Sequence, residues 1–276
     1  MISRDNMSLP EAIERLSDSK KPGTRDLESE LNEPSEDWDL NTPFSEAREL
    51  ARVGWIEKGR ELWKYISALA PRIDAGVTQG YDVSGDAVDV GRYLSGEPEN
   101  MLTQRIEPLS AVQVVVNISA SAWTDARRMF NRGIALAAII HALQSSGRGV
   151  SLVVAVSASN RLGSNHETLI ELQRFGDYIN PAQLAFWVAH PAALRRCVFR
   201  YNEQQDYKIR NWFGFRAGYG YGMPDEIDTK NLEPGTVYIP HINREAEAAS
   251  ETPEEALKYL VKLFKKAGVP IDIETG

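Results

Sequence analysis

The sequence predicts an α/β protein with a mostly parallel central sheet, flanking helices and an acidic mobile N-terminal arm. Residues 111–119 and 149–157 are β-branched and almost continuously apolar, which is typical of strands covered on both faces. A helical pattern from about Ala122 to Ser145 separates them. A strand, a helix and a second strand in this order favour parallel pairing through a right-handed crossover.

The remaining elements extend this alternation. We predict a helix from Ser45 to about Ile66, a further helix around Glu167–Phe175 and a third buried strand at Gln183–Ala189. Thr236–Pro240 has the pattern of an edge strand. Glu254–Lys266 has the apolar spacing of an amphipathic helix and follows a Thr-Pro start signal.

Composition divides the chain into three parts. Residues 1–43 are rich in Ser, Pro, Asp and Glu and predict a short helix followed by a largely disordered acidic linker. Residues 44–240 predict one α/β domain, and residues 241–276 predict a C-terminal helix with an acidic tail.

The net charge of −8 is unevenly distributed. Residues 1–43 contain five basic and eleven acidic residues, and residues 225–276 contain six and eleven. The centre is therefore basic, with twenty cations against seventeen carboxylates over residues 44–224. An acidic arm beside a basic centre either competes for a cationic groove or maintains solubility.

Sequence features also suggest a compartment. No apolar run is long enough to span a membrane, and the N-terminus lacks the basic-then-apolar pattern of a secretory signal. The single cysteine, Cys197, excludes an internal disulfide and is typical of a buried thiol. We therefore expect a cytoplasmic protein, in the host cytoplasm if the protein is viral.

The most unusual segment, residues 201–223, interleaves seven aromatic residues with cations and glycines. Aromatic rings stack on unpaired bases and cations contact phosphates, so the segment predicts binding of single-stranded nucleic acid. The candidate residues within it are Lys208, Arg210, Trp212, Phe213, Phe215, Arg216, Tyr219 and Tyr221. Arg128, Arg132 and Arg161 are candidate phosphate contacts from the helix and the loop upstream.

The same aromatic residues also suit a core or a partner contact, and this alternative has about equal weight. As a strand, the segment would place Phe213, Phe215 and Tyr221 on one face, with the glycines on the other. In parallel sheets ligands bind at the carboxyl ends of strands, so loops 119–124, 157–164 and 190–191 are expected to converge there.

Motifs for catalysis are missing from the sequence. It contains no GxxxxGK[ST], GxGxxG, HExxH or GxSxG pattern, and its four histidines are widely separated. We therefore expect neither catalysis nor a bound cofactor or metal. A hydrolase or transferase with the glycine-aromatic segment as a lid is the least supported of the alternatives.

One alternative does involve a metal ion. The segment Asp82-Val-Ser84-Gly-Asp86 partly resembles DxSxS, the opening of the metal site in von Willebrand A domains, with Asp86 in place of the second serine. The resemblance implies a protein-interaction module that holds a divalent ion and captures a partner.

A second resemblance covers most of the chain, from about Phe44 to Pro240. The acidic N-terminus, GWIEKG at residues 54–59, residues 89–101 and the apolar strands after them are similar to the phage-encoded Drc family. That family consists of single-stranded-DNA-binding cofactors of phage RNA polymerase. The resemblance implies sequence-tolerant DNA binding in transcription and replication, a possible polymerase partner and no catalysis, but it assigns no individual residue.

Overall fold

The computed structural model describes residues 2–18, 28–31, 33–56, 64, 67–68, 73–74, 78–85, 87–105, 111–160, 162–177, 180–215 and 220–273. The strands are β1 Ile2–Ser8, β2 Ile73–Asp74, β3 Thr78–Asp82, β4 Ala87–Val88, β5 Met101–Arg105, β6 Val112–Asn117, β7 Val150–Ser159, β8 Asn165–Gln173, β9 Met223–Pro224, β10 Val237–Ile239 and β11 Asp272–Ile273. The helices are α1 Leu9–Ser17, α2 Glu28–Leu31, α3 Glu36–Asp39, α4 Phe44–Val53, α5 Val90–Leu94, α6 Ala126–Ser145, α7 Pro181–Ala189, α8 Phe199–Glu203, α9 Tyr207–Phe213, α10 Arg244–Ala248 and α11 Pro253–Lys266. A π-helical segment, Ala193–Val198, leads into α8, and Thr229–Asn231 form a 3₁₀ turn.

The central sheet has the strand order β1-β8-β7-β6-β10, with β9 paired to the end of β7. Strands β6, β7 and β10 run parallel, β8 is antiparallel to β7, and β1 is parallel to β8. The predicted α/β class and the mostly parallel sheet flanked by helices are therefore confirmed. Two further sheets are small: β3-β5-β4 and the pair β11-β2.

The main core lies between the sheet and its helices. Apolar side chains of β6 and β7 pack against α6, which also packs against α7 and α11. A tight approach of α6 to α7 requires Gly133, because a Cβ there would lie 2.2 Å from the Ala189 backbone. The opposite face of the sheet carries a small cluster around Val115, Ala155 and Ile227. None of the described helices is both long and apolar enough to cross a membrane.

Several predicted elements are confirmed. These are strands β6, β7 and β10, the long helix α6 and the amphipathic helix α11, which Thr252 caps by accepting a hydrogen bond from the Glu255 amide. The predicted helix from Ser45 corresponds to α4, which ends at Val53. Gly54 has φ +87°, and a Cβ there would lie 2.5 Å from the Ala182 backbone. Residues 57–63 lie outside the described residues.

Two predicted elements are wrong, and their types are exchanged. The predicted helix around Glu167–Phe175 is strand β8 in the structure. The predicted strand Gln183–Ala189 lies in helix α7. Helix α7 is buried along most of its length, and its residues are therefore mostly apolar on every side. Its sequence shows neither the hydrophobic period of a surface helix nor that of a strand. Its start signal, the Asn180 cap followed by Pro181, was the informative feature.

The prediction that residues 1–43 are largely disordered does not agree with the structure over the described residues. The predicted short helix exists as α1, but Ile2–Ser8 form an edge strand paired along its length with Asn165–Glu171 of β8. Asp39 is fully buried. Strand pairing and burial therefore give this part of the acidic segment a defined structure. Residues 19–27 lie outside the described residues.

Candidate binding site at the carboxyl edge of the sheet

Two loops that the sequence predicted to converge do meet. Because β6 and β7 are parallel, their carboxyl ends share one edge of the sheet, called here the carboxyl edge. There the Ser119 hydroxyl donates to the Ser157 carbonyl (3.1 Å) and accepts from the Ser157 amide (2.8 Å). His190 follows α7 and lies beside Ile118 near the end of β6, where its ring packs on Trp55 with ring centroids 4.3 Å apart.

A cavity of about 170 Å³ opens at this edge. Its walls come from the ends of β6 and β7, the helical segment 194–202 and the turn before β9. The lining residues are Trp38, Ser119, Ala120, Ala122, Val156, Ser157, Ala158, Leu194, Arg195, Phe199, Asn202, Gly220, Tyr221, Gly222 and Pro224. Most are apolar or small, and Arg195 is the one charged residue among them.

Arg195 lines the cavity from the π-helical segment and is only 2% exposed. Its guanidinium donates to the carbonyls of Trp38, Ser121 (3.1 Å) and Thr124 (2.7 Å), and its central carbon lies 4.0 Å from the centre of the Trp38 ring. No described carboxylate forms an ion pair with it. Burial lowers the pKa of Arg195 to about 10, opposed by Asp39 and Asp125, so the group stays charged at neutral pH.

Asn202 lines the cavity from α8 and is 2% exposed. Its carboxamide oxygen has no hydrogen-bond partner among the described residues. Buried amide oxygens are nearly always paired, because an unpaired one loses its bond to water without replacement. Asn202 is therefore the polar group of this cavity that still lacks a partner.

An aromatic stack forms one wall. Phe199 and Tyr221 are parallel, with centroids 3.9 Å apart and planes 9° apart. The Tyr221 hydroxyl donates to Glu203, which also accepts from the amide and hydroxyl of Ser29 (2.9 and 2.6 Å). Burial raises the pKa of Glu203, and the hydrogen bonds from Ser29 and Tyr221 oppose that rise. The stack is therefore fixed by hydrogen bonds on the side away from the cavity.

The predicted stacking residues are mostly core. Phe213, Phe215 and Tyr221 form a buried cluster, so they do not offer ring faces to bases. The alternative in which a strand starts at Phe213 does not hold at that position, because Phe213 ends helix α9 and Gly214 has the left-handed conformation. Residues 216–219 lie outside the described residues. Trp212, 47% exposed, keeps an accessible ring, whereas Tyr219 lies outside the described residues.

The predicted phosphate contacts are largely engaged within the chain. Arg128 forms ion pairs with Glu247 and Glu251. Arg132 is buried and donates to the carbonyls of Asn117 and Pro240. Arg132 does not fit the predicted cationic track because its charge lies inside the fold. Arg128 stays partly exposed and shares its charge with two carboxylates.

Two other cations remain near the surface. Lys208 is exposed, and half-buried Arg210 donates through its Nε to the Gln205 carbonyl (3.1 Å). Arg161 and Arg216 lie outside the described residues. Of the six cations between residues 195 and 216, the three in the first helical stretch, Arg195, Arg196 and Arg200, are buried.

The metal hypothesis at Asp82–Asp86 finds no support. Asp82 ends β3 in the separate three-stranded sheet, where its carboxylate accepts from the Val83 amide (2.6 Å), and Asp86 lies outside the described residues. Over the part of the chain that the structure describes, no three His, Cys, Asp or Glu residues are grouped to hold a metal.

A spacing similar to DxSxS also occurs at the end of β6. Asn117 ends β6 and Ser119 and Ser121 follow it at the carboxyl edge, with asparagine in place of aspartate. The Asn117 amide donates to the Asp225 carbonyl (2.8 Å) and the Tyr238 hydroxyl (3.2 Å), and its oxygen accepts from the Ser119 amide (3.0 Å). With that side chain engaged and the Arg195 cation bonded to the Ser121 carbonyl, these residues do not fit a divalent ion.

Large exposed apolar side chains occur next to cavity-lining residues and in the loop after β7, and we call them the apolar rim. Trp123, 93% exposed, follows the lining residue Ala122, and Met223 follows Gly222. Leu162 lies in the loop after β7, and Asn160 of that loop donates to the Trp212 carbonyl (3.3 Å). Trp123, Leu162, Trp212 and Met223 are all exposed.

These features define an α/β domain with a cavity and an apolar rim at the carboxyl edge of a mostly parallel sheet. A family model described as a domain of unknown function (DUF7192) matches residues 5–270, so the chain belongs to that family. No curated protein and no solved structure matches the chain. Nothing in these comparisons bears on the Drc resemblance, which stays a hypothesis.

Proposed function

We propose that this protein is a non-catalytic, cytoplasmic interaction module that binds a partner protein at the carboxyl edge of its sheet. The apolar rim is the observation that carries the proposal. Exposed, contiguous apolar side chains at one edge mark interaction surfaces, and tryptophan is enriched among the residues that dominate binding energy. The indole ring of Trp123 is almost fully exposed, and removing its apolar surface from water by binding a partner is favourable.

The polar groups of the cavity support binding rather than catalysis. The hydroxyls of Ser119 and Ser157 donate to the backbone carbonyls of Ser157 and Glu226. No histidine occurs among the described residues that line the cavity. A serine without an adjacent base is not activated as a nucleophile.

This proposal keeps the partner capture of the von Willebrand A alternative and drops its metal ion. The arginine beside the Asn117–Ser121 segment supplies a fixed positive charge, so binding needs no divalent ion. We expect partner binding to be the same in EDTA and in Mg²⁺.

The test compares tagged wild-type protein with a Trp123→Ser, Met223→Ser double variant in cells that produce the protein. Leu94→Ser, an exposed leucine on α5, is the matched control. We expect one protein to be enriched by the wild type and the control and lost with the double variant. With that partner purified, calorimetry should show at least a tenfold weaker affinity for the double variant. Equal affinity for all three would refute the proposal.

Binding of single-stranded DNA is a second candidate, supported by the exposed face of α9. Tyr207 and Trp212 are exposed there together with Lys208, which combines ring faces with a cation. Stacking on such rings contributes about 1–3 kcal/mol per base. If the Drc resemblance holds, a phage RNA polymerase is the accompanying partner.

Fluorescence anisotropy tests this candidate with labelled single-stranded DNA, duplex DNA and single-stranded RNA of equal length at two salt concentrations. We expect preference for single strands, an affinity that falls with salt, and at least tenfold weaker binding by Trp212→Ala with Lys208→Ala. Lys230→Ala, at an exposed lysine in the 3₁₀ turn, is the control. Absence of binding at micromolar protein would exclude the candidate.

A further inference from the structure

We propose that the cavity at the carboxyl edge binds a carboxylate that carries a neighbouring N–H group and an apolar side chain. An N-acylated apolar amino acid and the C-terminal residue of a peptide both have this chemistry. The proposal goes beyond partner binding at the rim and does not depend on it.

The carboxylate is inferred from Arg195. Its charge is buried at the cavity wall, and it is compensated by three backbone carbonyls with no carboxylate in ion-pair contact among the described residues. Carbonyl dipoles orient the guanidinium and leave its formal charge in place. A buried cation of this kind is stabilised by an anion, and guanidinium and carboxylate match in shape and charge.

The N–H group is inferred from Asn202. Its carboxamide oxygen, buried at the same cavity, lacks a donor among the described residues. Asn202 lies seven residues after Arg195 along one helical stretch, so both side chains reach the cavity from the same element. A ligand with an acceptor anion and a nearby donor would satisfy both residues.

The apolar side chain is inferred from the walls and the volume. Val156, Leu194 and the Phe199–Tyr221 stack provide apolar surface. A cavity of about 170 Å³ has room for several water molecules. That space suits a branched aliphatic side chain with its carboxylate, and the open mouth leaves room for an acyl group or a preceding peptide unit.

Other ligands fit the lining less well. Phosphate binds where several cations or free backbone amides converge, whereas one guanidinium is the single charge among the described lining residues. A metal ion is disfavoured by the same guanidinium. Inorganic phosphate is therefore a suitable negative probe.

Calorimetry with four probes separates the groups of the ligand. N-acetyl-L-leucine carries all three features, N-acetyl-L-leucinamide lacks the carboxylate, 4-methylpentanoate lacks the N–H group, and inorganic phosphate lacks both the N–H group and the side chain. We expect N-acetyl-L-leucine to bind and the other three to bind at least tenfold more weakly. Equal binding of the acid and its amide, or no binding of the acid at millimolar concentration, would overturn the proposal.

Variants locate the binding. Ala122→Phe, at an exposed lining position, should close the mouth and abolish binding, while Ala248→Phe, exposed on α10, should leave it unchanged. Asn202→Asp places a carboxylate in the cavity with Arg195 and should weaken binding of the acid at least tenfold. Undiminished binding by both Ala122→Phe and Asn202→Asp would show that the acid binds elsewhere and would overturn the proposal.

A final pair of probes distinguishes the two sources of this chemistry. A pentapeptide that ends in a free leucine carboxylate is compared with the same peptide amidated at its C-terminus. Tighter binding of the free peptide than of N-acetyl-L-leucine identifies a protein C-terminus as the ligand, and tighter binding of the small acid identifies a metabolite. Binding of the amidated peptide as tight as that of the free peptide would contradict recognition of the carboxylate.

Discussion

Arg195 and Arg196 are adjacent in one π-helical segment and equally buried, yet their charges are compensated differently. Arg196 donates to Asp39 from Nε (2.8 Å), forms an ion pair with it, and donates to the Ser29 carbonyl (3.0 Å). Arg195 has only carbonyl acceptors and faces a cavity. The Arg196 side of this segment is therefore a closed structural interface, while the Arg195 side, at the cavity, retains a charge for a ligand.

The N-terminal segment supplies the counter-charges of the closed side. Asp39 pairs with Arg196, and Glu30 lies 3.7 Å from Arg200, which also contacts Glu203 at 3.5 Å. The acidic flank and basic centre seen in the sequence are therefore complementary surfaces that meet within the fold. An acidic arm that competes for a nucleic-acid groove is not needed to explain the charge distribution.

Deletion of residues 1–43 breaks the closed side most severely. It removes β1, α1 and the partners of two buried arginines, so we expect a loss of more than about 5 kcal/mol, comparable to the whole stability of many domains. Circular dichroism and urea unfolding measure this loss. The control Glu33→Gln with Asp37→Asn removes exposed charge alone and should leave the midpoint unchanged. A deleted protein that unfolds cooperatively at the wild-type midpoint would contradict the structure.

Asp39→Ala removes a single partner from the closed side. Arg196 would remain buried without its carboxylate, and we expect a loss of about 3–5 kcal/mol in urea unfolding. Glu49→Ala, which breaks the exposed pair with Arg52, is the control and should cost at most about 1 kcal/mol. Similar losses for the two variants would show that Arg196 is not as buried as described.

His166 is a third buried basic group, and unlike Arg195 it is neutral in the fold at neutral pH. Both of its ring nitrogens lack described partners, and burial between Phe213 and Phe215 lowers its pKa from 6.5 to about 4. The unfolded chain binds a proton below pH 6.5 and the folded chain only near pH 4. Stability is therefore complete above pH 6.5 and decreases as the pH falls through this window.

Urea unfolding at pH 7.5 and pH 4.5 tests the role of His166. We expect His166→Phe to lose about 3 kcal/mol less than the wild type between these two values, from two pKa units at about 1.4 kcal/mol each. His190, whose pKa burial lowers to about 3, continues to contribute in both proteins. Parallel pH dependence of the two proteins would show that His166 titrates normally in the fold.

Trp123→Ser gives the smallest expected change in stability and tests the apolar rim. The ring is almost fully exposed, so we expect the free energy of unfolding to change by less than about 0.5 kcal/mol while partner binding weakens. Thermal unfolding of the isolated protein measures the first quantity. A loss above 2 kcal/mol would mean that the ring packs on the fold and does not belong to a free rim.

Local sequence signals were sufficient for much of the sheet. The β-branched runs of β6 and β7 and the periodicity of α6 and α11 identified the class, and their loop positions located the carboxyl edge. The exchange of β8 and α7 arose because short buried elements have no reliable period, and only the cap before Pro181 distinguished the helix.

The candidate site was less accessible from the sequence. Aromatic composition cannot distinguish a ring that packs on its neighbours, such as Phe215, from one that faces solvent, such as Trp123. Arg195 and Asn202 have ordinary neighbours in the sequence, and they become notable only through burial and missing partners. The signals available beforehand were the loops after the two buried strands and the Asn117-x-Ser119-x-Ser121 spacing at the end of the first of them.

The pairing of β1 with β8 determines when the sheet is completed during synthesis. Partners such as Arg4 and Glu167 are separated by 163 positions, so β1 must wait for its neighbour β8. At roughly 5–20 residues per second the delay is on the order of ten to thirty seconds. Through that interval β1 lacks its partner strand, and the backbone N–H and C=O groups that later pair with β8 stay open to other chains.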